Sequence, residues 1–391
     1  MKRILIGALM LASLILAACN SSKSSAPDGS RFTDPQATAE TRALYRNLLA
    51  LQGKYVLFGH QDSLAYGVQW QREADRSDVK DVTGSFPAVY GWDIGWLEKG
   101  GPENLDGVSF DLMRESIKRS FERGGITTIS WHMINPMNGG SHSDSSETAV
   151  EYIIPGGAKH ELFKSYLDKF VAFNESLMVN GVQVPIIFRP WHEHNGEWFW
   201  WGKGPASEKN YIKLWRFTVE YLRDEKQQHN LIFAFSPDRS RMNIDTMERD
   251  YFYAYPGDDY VDVIGFDNYW DLGHPANETP AAEQLENFGK SLAVIGKIAK
   301  AKGKVGALTE GGSEAIENPQ FWTEVVLRGI NSSEYAQHVT WLMVWRNTTN
   351  GGYNKQHFYA PYPGHDSAVD FVKFKQDERI LFEDELPALY R

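Results

Sequence analysis

Cysteine is nearly absent from this chain: Cys19 is the only one in 391 residues. That excludes an internal disulfide and a cysteine-rich metal site, so stability has to come from packing. Basic residues are also in short supply. Lys and Arg number 40 against 51 Asp and Glu, a net charge of −11 that repels a polyphosphate backbone and argues against nucleic acid as a partner. There is no internal repeat or low-complexity tract, and the longest apolar run, Ile4 to Ala18, is too short to span a bilayer comfortably. What the chain has in abundance is aromatic side chains, 13 Trp, 18 Tyr and 21 Phe. Many are core filler, but so many indoles point to a groove lined with flat apolar faces.

The apolar run follows Lys2-Arg3 and ends in small residues, the pattern of a secretory leader rather than part of the fold. Leu16-Ala17-Ala18-Cys19 resembles a bacterial lipobox, which implies cleavage before Cys19 and lipidation of that residue. The organisation expected is therefore a leader over 1–18, a Ser-rich tether over 19–35 and a single domain over 36–391. Asn20-Ser21 after the cysteine resembles a signal for outer-membrane sorting, so the expectation is an exported, monomeric lipoprotein anchored through Cys19.

Within the domain, short runs rich in Val, Ile and aromatics alternate with longer amphipathic stretches, the signature of β/α units. The predicted strands cover 56–59, 88–91, 127–131, 185–189, 231–235, 261–266, 305–308 and 340–344. Predicted helices include 110–123, 161–177, 208–223, 281–301 and 319–328. Eight such units predict a (β/α)8 TIM barrel, with a doubly wound open sheet as the competing topology. The polar residues favour the barrel. Past the strand ends stand His60-Gln61-Asp62, Trp92-Asp93, His132, His192-Glu193, Ser236-Pro237-Asp238, Asp267-Asn268-Tyr269, Glu310 and Trp345-Arg346. A barrel gathers eight such ends around one mouth, whereas an open sheet spreads them along a crevice.

Two of these ends carry the acids that glycosidic cleavage requires, one to protonate the departing oxygen and one to attack the anomeric carbon or activate water. Glu193 follows the fourth strand and Glu310 the seventh. Glu193 lies in Arg189-Pro190-Trp191-His192-Glu193-His194-Asn195-Gly196-Glu197-Trp198-Phe199-Trp200-Trp201-Gly202, and Glu310 in Leu308-Thr309-Glu310-Gly311-Gly312. With Ser130-Trp131-His132, Gly265-Phe266-Asp267-Asn268-Tyr269 and Trp345-Arg346, these segments resemble glycoside hydrolase family 26, whose best-known members are β-mannanases.

The resemblance covers about residues 50–350. It implies a retaining mechanism with Glu193 as acid/base and Glu310 as nucleophile, and no cofactor or metal. It also implies that His192 and Tyr269 hydrogen-bond the nucleophile, and that His132, Trp345 and Arg346 bind sugar on the glycone side. Trp198 would be a platform on the leaving-group side, and Phe235 would pack near the sugar at the cleavage point. The partner implied is a mannan-type polysaccharide, with glucan- or xylan-cleaving members of the family as alternatives.

Two readings of other classes remain open on the residues alone. One is a barrel metallohydrolase using His60, His132, His192, His194, Glu193 and Asp238; His192-Glu193-His194 lacks the spacing that puts two imidazoles on one helical face. The other is a sugar-binding lipoprotein without catalysis, which has no need of two opposed glutamates. Asp93, Asp238 and Asp267 are read as caps or sugar ligands.

Overall fold

The computed structural model describes residues 32–348 and 357–391; Cys19, the leader and most of the tether lie outside them. Eight parallel strands form the frame: β1 Val56–Gln61, β2 Val89–Asp93, β3 Ile126–Ser130, β4 Ile186–Arg189, β5 Leu231–Phe235, β6 Val263–Asn268, β7 Val305–Gly311 and β8 Val339–Val344. Each pairs with the next, and β8 pairs back onto β1 through Leu57↔Trp341 to His60↔Val344, which closes the sheet. The fold is a (β/α)8 barrel. A short ninth strand, Ile380–Leu381, pairs in parallel with the start of β1 and has no counterpart in the predicted set.

Alternation along each strand sorts the apolar side chains into two clusters. Leu57, Val89, Ile126, Ile187, Ile232, Ala234, Val263, Val305, Ala307, Trp341 and Met343 fill the barrel and meet Leu44, Leu48 and Leu51 of helix α1, Ala39–Leu51. The intervening residues, among them Phe58, Tyr90, Ile129, Phe188, Phe233, Phe235, Ile264 and Leu308, face outward into the layer formed with the helices. The interior is tight: a Cβ at Gly91 would lie 2.0 Å from Gln61 Oε1 and 2.6 Å from Met343 Sδ, so those side chains would have to shift to admit one.

The helices begin and end where local chemistry dictates. In α2, Phe110–Arg123, Ser109 accepts from the Asp111 amide at the N-terminus and Gly124 ends the helix in left-handed backbone, while Phe110, Met113 and Ile117 supply the buried stripe. Helices α3 His160–Glu175, α4 Glu208–Glu220 and α5 Ala281–Lys302 lie close to their predicted ranges. The stretch predicted as a helix over 319–328 instead contains a widened π-type turn at Trp322–Leu327, a feature that apolar periodicity does not reveal.

Candidate active site

Two backbone irregularities aim the acids. Between β6 and β7 the register is Phe266↔Leu308 and then Asp267↔Glu310, so Thr309 is an extra residue, a bulge. Its hydroxyl donates to Phe266 O at 2.9 Å and lies 2.7 Å from Asp267 Oδ1. Strict alternation would send Glu310 outward like Leu308; the bulge resets the parity and turns its carboxylate into the mouth. After β4, Trp191 and Glu193 both have φ of +53°, a left-handed conformation uncommon for bulky residues. The Glu193 amide donates to Ser236 O at 2.8 Å, and Asn195 exchanges two 2.7 Å bonds with the backbone of Asp238. These contacts with the β5 loop hold the strained turn in place.

Arg189 sits fully buried at the end of β4. Its Nη1 donates to Asp267 Oδ2 at 2.7 Å and to Ser236 Oγ at 3.2 Å, and its Nη2 is paired with Glu310. On the other oxygen, Glu310 Oε1 accepts from the Tyr269 hydroxyl, which follows β6, at 2.8 Å. Glu310 therefore accepts from a cation and a phenol at once. Glu193 has the opposite setting. Burial first, then the charges of Asp238, Asp267 and Glu310, push its carboxyl well above the usual range; the Trp198 Nε1–H, donating to Oε2 at 2.7 Å, opposes that rise. The influence of Glu310 on Glu193 places both acids in one electrostatic neighbourhood.

The other site residues fall into three groups. His132, just past the end of β3, lies with its Nδ1 2.8 Å from Asp93 Oδ2 and its ring centroid 6.3 Å from that of Trp345, so His132 and Trp345 share one wall. Arg346 is reached by the loop after β2: Asp106 pairs with it at 2.9 Å, and its Nη1 donates to the Tyr66 hydroxyl at 3.1 Å. Trp198 is half-buried over Glu193 with Arg241 against its ring, whereas Trp200 and Trp201 are fully buried and donate to Met133 O and His192 O.

Two expectations are corrected. Phe235 does not face sugar: it occupies an outward position of β5 and is fully buried among His194, Trp215, Tyr251 and Tyr255. Phe235→Ala should therefore cost about 3–5 kcal/mol of stability, as core Phe truncations do, while KM of the folded variant stays unchanged; urea unfolding and steady-state kinetics check both. His192 does not bond the nucleophile either. Its Nε2 is 3.3 Å from His132 Nε2, and Arg189 holds the place on Glu310 that was expected for it. The residues of the metal reading do not converge: His60 faces outward and burial pushes its pKa down to about 3, while His194 stacks on Tyr211 and bonds Tyr253 O. Asp238 caps the turn at Arg239–Arg241 by accepting from the Ser240 amide.

Known proteins point the same way. A family model described as "Glycosyl hydrolase family 26" matches residues 33–324. The chain belongs to that family. Family 26 relatives include a protein from Bifidobacterium adolescentis named mannan endo-1,4-beta-mannosidase, 33% identical over 90% of this chain and 35% of its own length. A protein of the same name from Bacillus subtilis is 31% identical over 66% of this chain and 71% of its own length. The chain thus spans about a third of the first relative. A solved structure described as a GH26 beta-mannanase from Bacteroides ovatus superposes with a TM-score of 0.82 at 39% identity, covering 90% of this chain and 98% of that one.

Arg189 is the residue of the site that the sequence alone does not single out. Arg189 stood inside the quoted motif, and its position as the last residue of β4, pointing inward, was the available signal. Asp93 was weighed only as a cap or a sugar ligand.

Proposed function

We propose that this family 26 chain is a retaining glycoside hydrolase that cleaves β-1,4-mannosidic bonds by double displacement. The observation that carries the reading is the opposed treatment of two acids in one mouth: Glu310 accepting from Arg189 and Tyr269, Glu193 driven toward its neutral form. Glu193 protonates the leaving oxygen while Glu310 attacks the anomeric carbon; Glu193 then deprotonates the water that releases the sugar. His132 and Trp345 wall the glycone side, Arg346 lies beyond them, and Trp198 carries the leaving-group sugar. An aromatic mouth in an acidic chain suits a neutral glycan, and the names of the relatives support mannan over glucan or xylan. The test is reducing-sugar release from mannan, glucomannan and mixed-linkage glucan, with NMR of the first-formed anomer. Release from mannan with retention supports the reading; no release from any of them favours glycan capture, and inversion contradicts the mechanism.

The Trp198–Glu193 bond carries a pH prediction. Because that donor favours the charged carboxylate, Trp198→Phe raises the Glu193 pKa further. The reaction begins with Glu193 protonated, so activity is lost as pH rises through this pKa. The alkaline limb of kcat/KM should move upward by about one pH unit, the size of a lost charge-assisted hydrogen bond. A limb that stays in place or moves down removes Trp198 from that role.

Export completes the proposal: the sequence around Cys19 supports a lipoprotein anchored in the outer membrane. Mass spectrometry of the mature N-terminus checks it, and an unmodified Cys19 or an intact Met1 removes it.

A further inference from the structure

Asp93, at the end of β2, is fully buried and surrounded by donors. Its Oδ1 accepts from the Gly95 amide at 2.7 Å and its Oδ2 from Ser130 Oγ at 2.7 Å; the His132 amide lies 3.2–3.3 Å from both oxygens, and His132 Nδ1 is 2.8 Å from Oδ2. Although burial opposes its charge, the charge and hydrogen bond of His132, then Ser130 and Gly95, hold its carboxyl below the usual range. A carboxylate can only accept, so the proton on this edge of His132 belongs to Nδ1. The other edge meets His192, with 3.3 Å between the two Nε2 atoms, and His192 Nδ1 is buried without a partner.

We propose that Asp93 is a positioning residue for the cleavage reaction: it sets the tautomer of His132 and, through the Nε2–Nε2 contact, that of His192 beside Glu193. In neutral His132 with its proton on Nδ1, Nε2 accepts, so the proton of neutral His192 lies on Nε2 and its unpartnered Nδ1 carries only a lone pair. Both nitrogens of His132 are then engaged, which fixes its ring and that of His192 on the wall that an arriving sugar meets. His142 lies 4.7 Å from His132 between ring centroids and His192 4.6 Å; burial opposes a charge on His132 while Asp93, Glu310 and Asp106 favour one, so the tautomer assignment concerns the neutral ring, present above its raised pKa. This inference rests on the reading of Glu193 and Glu310 as the reacting pair.

Asp93→Asn tests it because the amide cannot satisfy the same donors. Its oxygen has to stay on the Gly95 amide, which turns the NH2 toward His132 Nδ1. His132 must then accept at Nδ1 and carry its proton on Nε2, and the proton of His192 is forced to Nδ1, where no acceptor waits. Nitrogen-15 NMR of histidine-labelled protein, recorded at a pH above the His132 pKa, should show His132 as the Nδ1–H form in the native chain and the Nε2–H form in Asp93→Asn. On mannotetraose, kcat/KM should fall about 10- to 100-fold, the usual effect of losing an orienting partner. In a His132→Ala background the same change should alter kcat/KM by less than about twofold, since the residue it acts through is gone. An Nε2–H tautomer in the native chain overturns the proposal even if the variant does not fold. Equal losses in both backgrounds also overturn it, as a merely structural role would produce them. Failure of the underlying reading looks different: Glu193 and Glu310 variants would retain turnover while the tautomer switch still occurred.

Discussion

Glu310→Ala is expected to lower kcat by about 10⁵-fold or more, the scale seen when a covalent nucleophile is removed from an intact site. The loss is that large because the remaining groups hold the sugar but cannot form the glycosyl-enzyme bond. Azide distinguishes this from misfolding. With an activated β-mannoside, azide entering the vacated space attacks the anomeric carbon as the leaving group departs, giving an α-mannosyl azide by single inversion. Glu193→Ala should lose less, about 10²–10⁴-fold, and should give the β-azide, because the glycosyl-enzyme still forms and azide then displaces Glu310. The same anomer from both variants would show that the roles of the two acids are misassigned.

Arg189→Met should abolish activity and also destabilise the fold by about 3–5 kcal/mol, the cost of leaving buried charge without its partner. Arg189 is the cation shared by Asp267 and Glu310, and all three are buried. Its removal leaves two carboxylates facing each other in a water-poor space, and Met matches the stem but not the charge. Adding Asp267→Asn should recover part of the stability, because one of the two orphaned charges is removed, without restoring turnover. Lysine is expected to be a poor substitute, since a point ammonium cannot reach both carboxylates as the planar fork does. Urea unfolding with parallel kinetics checks each step; full activity in Arg189→Met would mean that Glu310 needs no paired cation to act.

The family resemblance assigns these acids their roles, but the physical basis for both predictions lies in contacts far apart in the chain. Arg189 and Glu310 are 121 positions apart, and Glu193 feels Asp238, Asp267 and Glu310 from the ends of three other strands. Nothing in the local sequence of Glu193 says that its surroundings are dry. The mistaken expectation for Phe235 has a related origin. It ends a fully apolar strand, Leu231–Phe235, in which every residue is buried, so hydrophobicity does not reveal which alternate positions face the barrel interior. The bond from His192 to the nucleophile is what the family resemblance implies; in this chain the side chain turns toward His132 instead.

Local sequence was enough to specify the eight strands, the order of the polar strand ends and the two candidate acids. Strand formation depends on local Val, Ile and aromatic runs, and the chemistry of a carboxyl group is a property of its residue type. Which way those groups point and what charge they carry was decided in three dimensions. The bulge at Thr309 resets the direction of Glu310, the left-handed turn at Glu193 aims its carboxyl, the buried Arg189 pairs with Glu310, and Asp93 orients His132. Direction depends on register between strands and charge depends on burial and through-space neighbours, and both come into being only when the barrel closes.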